Sequence, residues 1–73
     1  MEYTKDELTE AARQIASTVH KLKETVQTLE AKERPERYRA QLTLARRRIA
    51  AFETAERLIS EKLAAGSGQE ARP

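Results

Sequence analysis

Six arginines fall between residues 34 and 48: Arg34, Arg37, Arg39, Arg46, Arg47 and Arg48, against a single carboxylate, Glu36. A guanidinium is planar and always charged, and its fork matches phosphate or carboxylate oxygens in pairs. The cluster thus has the chemistry of an anion-binding surface, for a nucleic acid or an acidic protein. Residues 1–33 carry five basic and seven acidic side chains, net −2, while residues 34–65 carry eight and four, net +4. A plainer reading competes, in which the arginines form a solvated face paired with an acidic first half through Glu10, Glu24 and Glu30. That reading carries more weight, because a single aromatic, Tyr38, and no glycine interleave the arginines, too little for the stacking platform of a nucleic-acid surface.

Other residue types offer little chemistry. His20 is the only histidine, with Glu24 one helical turn on and no ligand set at metal spacing. The chain has no cysteine, which excludes a disulfide, a thiolate metal site and a cysteine nucleophile. No serine sits in a nucleophile-elbow context, and no glycine-rich phosphate loop occurs. No catalytic site, cofactor, metal or small-molecule substrate is expected, so the chain reads as a non-enzyme. The start, Met1 to Asp6, has no apolar core of a signal peptide, and no stretch approaches the ~20 apolar residues of a membrane span. The expected location is the cytoplasm, with no membrane partner.

The elements that carry these residues are two helices. Arg34-Pro35 divides the chain almost at its middle. The residue before proline is pushed out of the α region, and proline itself fits the first turn of a helix. Thr4 and Glu7 have the spacing of a capping box, and Tyr3 and Leu8 that of a hydrophobic staple. From there Leu8, Ala12, Ile15, Val19, Leu22, Val26 and Leu29 alternate steps of four and three, a heptad seam. A second series follows: Tyr38, Leu42, Ala45, Ile49, Phe52, Glu56, Ile59 and Leu63. Glu56 interrupts it, and Ala55 beside it offers an alternative seam position. If the second helix starts at Pro35, the arginines oppose the positive end of its dipole, so helix stability does not account for them. Gly66 is placed to end that helix as a left-handed cap. The chain is therefore predicted to be all-α: an antiparallel, coiled-coil-like hairpin over residues 1–65, with helices at 4–33 and 35–65, a turn at Arg34, and a flexible tail over 66–73.

The second helix carries a further apolar set, Leu44, Ala51, Ala55 and Leu58, off the main seam. A helix apolar on more than one face needs more than one partner. A hairpin this small also builds a thin core on its own. Dimerisation into a four-helix bundle answers both needs, with this set as the self-association or partner-docking surface.

The hairpin plan of residues 4–65 is similar to that of the plasmid copy-number regulator Rop, which dimerises into a four-helix bundle and binds paired RNA loops. No motif is shared, so that resemblance carries no site residues across. The segment Arg46-Arg47-Arg48-Ile49-Ala50-Ala51-Phe52-Glu53-Thr54-Ala55-Glu56-Arg57-Leu58-Ile59 also resembles small uncharacterised hairpin proteins of bacterial mobile elements, which implies a bacterial accessory protein. The expectation for function is a non-enzymatic adaptor or regulator that binds a protein through helix 2; the alternative is RNA or DNA binding through Arg37, Arg39, Arg46, Arg47 and Arg48.

Overall fold

The computed structural model describes the backbone of residues 2–70 and the side chains of residues 2–65. Helix α1 spans Lys5–Glu30, a 3-10 turn spans Pro35–Tyr38, and helix α2 spans Arg39–Glu70. The two helices pack against each other as a hairpin, with no strand among the described residues. The result is a rod measuring 60 × 17 × 15 Å.

The start of α1 is built by its capping residues. The Thr4 hydroxyl accepts from the Glu7 backbone N–H at 3.0 Å, and the Glu7 carboxylate accepts from the Thr4 N–H at 2.9 Å. Two of the orphan donors at the helix end are thereby satisfied. Tyr3, in the staple position, stays 61% exposed, so it adds little burial. Thr4→Ala is expected to cost about 1 kcal/mol, read as a fall in the unfolding midpoint.

The turn differs from the expectation of one residue at Arg34. Helix α1 ends at Glu30, not Glu33, and Ala31 to Arg34 make the reversal. Packed helix axes lie ~8–10 Å apart, and one residue spans at most ~3.6 Å, so a single residue cannot bridge them. Ala31 closes α1 through its N–H to the Gln27 carbonyl at 3.1 Å. Arg34 takes φ −129° and ψ 79°, outside the α region that Pro35 disfavours for its predecessor. Pro35 then opens a 3-10 turn rather than the α-helix itself, with the Arg37 N–H donating to the Arg34 carbonyl at 3.1 Å. Such tightened first turns are common at helix starts.

The other end also differs. Helix α2 continues through Gly66 to Glu70 instead of stopping at a left-handed glycine, and no glycine has positive φ among the described residues. Glycine in a helix costs about 1 kcal/mol relative to alanine, which weakens the helix without forbidding it. Residues 71–73 of the expected tail lie outside the described residues.

The packing follows the heptads. Every seam residue, Leu8 to Leu29 in α1 and Tyr38 to Leu63 across the 3-10 turn and α2, is buried or half-buried. Among the described residues only Val19, Leu42 and Ala45 are truly buried, at 6–7% exposure. Ala55 and Glu56 are both half-buried, so the interruption at Glu56 is shared between two adjacent positions rather than resolved onto one.

Candidate interaction surface

The two flanks of the seam differ in chemistry. On one, ion pairs cross between the helices: Arg46 binds Glu30, and Lys23 binds Glu53 at 3.0 Å. Each of these four residues directly follows a seam residue: Leu22, Leu29, Ala45 and Phe52 respectively precede Lys23, Glu30, Arg46 and Glu53. In an antiparallel pair, equivalent flanking positions of the two helices face each other. The signal was therefore present in the sequence, although the expected pairing named only Glu30 of these four as a carboxylate partner. A third long-range pair, Lys62 to Glu2 at 3.3 Å, ties the open end of the hairpin from the other side of the seam, since Lys62 precedes rather than follows a seam residue.

The other flank is free of charge along α1 and carries Arg48 and Lys62 on α2. On α1 it presents Ala11, Gln14, Thr18, Leu22, Thr25 and Leu29, recurring at steps of three and four. A groove of about 330 Å³ lies there between the helices, walled by Leu22, Thr25 and Leu29 on one side and Gln41, Leu44, Ala45 and Arg48 on the other. A smaller depression of about 150 Å³ follows along the rod, at Gln14, Ile15, Thr18 and Phe52. Thr18 and Thr25 donate their hydroxyls to the Gln14 and Lys21 carbonyls of their own helix, each at 3.0 Å. Their donors are thus already used.

The expected docking residues sit on or beside this flank. Leu44 is 46% and Leu58 61% exposed, the largest apolar side chains left open on α2. Ala51 is exposed as well. Ala55 departs from the set: it is half-buried, because it shares the seam with Glu56.

The arginines do not form one patch. Successive residues on a helix diverge by ~100°, so Arg46, Arg47 and Arg48 fan over more than half its circumference. Arg46 is committed to Glu30, while Arg39, seven residues earlier, shares its face beside Pro35 and Thr43. Arg48 walls the groove of Leu22 and Leu44, and Arg47, two residues from the seam positions Ala45 and Ile49, falls on the outer, exposed side of α2. Among the described residues, Arg37, Arg39, Arg47 and Arg48 make no ion pair. The remaining expected carboxylates are used locally: Glu10 accepts from Arg13 and Gln14, and Glu24 lies 3.4 Å from His20. No group of three or more His, Asp or Glu side chains among the described residues is placed to hold a metal ion. No helix among them is long and apolar enough to cross a membrane.

No known family, curated protein or solved structure matches the chain.

Proposed function

We propose that this protein is a small, non-enzymatic adaptor or regulator that works in the cytoplasm by docking another protein along α2. The observation that carries the reading is the exposure of Leu44 and Leu58 on a helix whose main seam is already occupied by α1. Apolar side chains recurring at helical spacing are the usual anchors of helix-in-groove recognition. Among the described residues the rod carries open grooves, which suit an extended partner better than a small substrate.

Nucleic-acid binding is the second reading, supported by Arg37, Arg39, Arg47 and Arg48, which make no ion pair among the described residues. Their dispersal around the helix weakens it, because a duplex or strand meets one face at a time. The two readings differ in salt response. Four phosphate contacts give a log–log slope of about −3 to −4 on duplex, whereas apolar docking is nearly insensitive to salt.

The test is a pull-down from the source organism with three baits: the native chain, the Arg46→Ala/Arg47→Ala/Arg48→Ala variant, and Leu44→Glu/Leu58→Glu. A protein retained by the first two after nuclease treatment and lost from the third is the expected result. Loss under nuclease would replace this reading with nucleic-acid binding. Recovery of the bait alone would overturn the adaptor role.

A further inference from the structure

The apolar row on α2 reads the same in both directions. Leu44 and Leu58 each lie seven residues from Ala51, so the three side chains form one line at intervals of about two turns. A two-fold axis through Ala51 maps this row onto itself, setting Leu44 against Leu58 of a copy and Ala51 against its own twin. Self-complementarity of this kind is what an isologous interface requires. We infer that the row is the centre of an antiparallel contact with a second copy of the chain, an inference that rests on the proposal that α2 is the docking helix.

Charge selects the direction. Residues 34–48 carry six basic and one acidic side chain, net +5, and residues 49–65 carry two and three, net −1. A parallel contact sets the strongly basic half beside its twin. An antiparallel one sets it beside the slightly acidic half, which suppresses the repulsion. The alanine at the axis lets the two backbones approach closely there, at the short end of the ~8–10 Å range of helix packing.

The surroundings of the row favour burial. The groove beside Leu44 is walled on α1 by Leu22, Thr25 and Leu29. The hydroxyls of Thr18 and Thr25 already donate within α1, so covering them orphans no donor. The opposite flank carries the Arg46–Glu30 and Lys23–Glu53 pairs, half-exposed charges whose removal from water would be unfavourable. One flank is thus suited to a second copy and the other to solvent.

The absence of cysteine makes the test direct, because any introduced thiol reports alone. Ala51→Cys lies on the axis and adds one sulfur at an exposed position, so it should give a disulfide-linked dimer under mild oxidation. Leu44→Cys alone should not: its twin would lie 14 residues along, ~21 Å away at ~1.5 Å per residue. That is far beyond the ~4.4–6.8 Å Cα separation a disulfide spans. Leu44→Cys mixed and reannealed with Leu58→Cys should give the mixed dimer. Ala50→Cys, one residue from the axis but on the charged flank, should stay unlinked. Circular dichroism on each reduced variant verifies that the hairpin is intact. Self-linkage of Leu44→Cys would mean a parallel contact and overturn the inference, as would linkage at Ala50→Cys equal to that at Ala51→Cys, or none at Ala51→Cys. The adaptor reading is judged separately: a partner captured in the pull-down with no linkage at Ala51 defeats the dimer alone, and linkage without a captured partner defeats the adaptor alone.

Discussion

Leu42→Ala is expected to unfold much of the protein at 25 °C. Leu42 is 7% exposed and belongs to a buried set of three with Val19 and Ala45. Truncating a buried leucine to alanine costs about 2–5 kcal/mol. A single core in a chain of this length rarely supplies more than ~3–5 kcal/mol. The loss is therefore comparable to the whole stability. For a domain of this size ~1 kcal/mol moves the midpoint by roughly 4–8 °C, so the shift should be at least about 8 °C and should reach outright unfolding if the cavity does not collapse. Leu42→Met keeps the volume and should cost under ~1.5 kcal/mol. Far-UV circular dichroism on both variants decides the matter. A Leu42→Ala midpoint within a few degrees of the native one would mean that the seam is not where the stability lies.

The seam was legible because helix packing is periodic, and period is what a sequence records directly. Every residue of the two series, Leu8 to Leu29 and Tyr38 to Leu63, is buried or half-buried, and the spacing alone picked them out. The start of α1 was legible for a similar reason: Thr4 and Glu7 act over three residues, and no distant contact is needed to fix them. The turn was less so. Pro35 locates a break, but how many residues make the reversal depends on the distance between packed axes, which no local signal states. Gly66 misled because a glycine offers a left-handed cap without compelling one, and α2 runs on to Glu70.

The groove-bearing flank was the feature least visible in one dimension. Leu44 and Leu58 stood out as apolar residues off the seam, yet their neighbours come from the other helix. Thr18, Leu22 and Thr25 join them only because the hairpin brings α1 alongside, and the threonines suit an apolar contact only because their hydroxyls are occupied. The arginines show the reverse. They are a cluster in sequence and a fan in space, since neighbours in a helix face different ways.

Leu44→Glu combined with Leu58→Glu is expected to abolish any dependence of unfolding on protein concentration and to lower stability by several kcal/mol. The argument turns on what exposed leucines do in a monomer. A substitution on a solvated face away from caps and cores usually changes stability by no more than ~0.5 kcal/mol. At 46% and 61% exposure, both leucines would qualify as such positions if the hairpin stood alone. Buried against another chain, each leucine contributes about 1.5–3 kcal/mol, and a carboxylate in its place adds the cost of desolvating a charge. Association also ties stability to concentration, because whatever binds only the folded state raises its midpoint by mass action. The native midpoint should therefore climb across a hundredfold range of concentration, while that of the double variant stays low and flat. A flat native midpoint, or a double variant as stable as the native chain, would show that Leu44 and Leu58 face water. With three buried residues in the hairpin, the stability would then have to come almost entirely from half-buried seam contacts and surface ion pairs, each worth under ~1 kcal/mol.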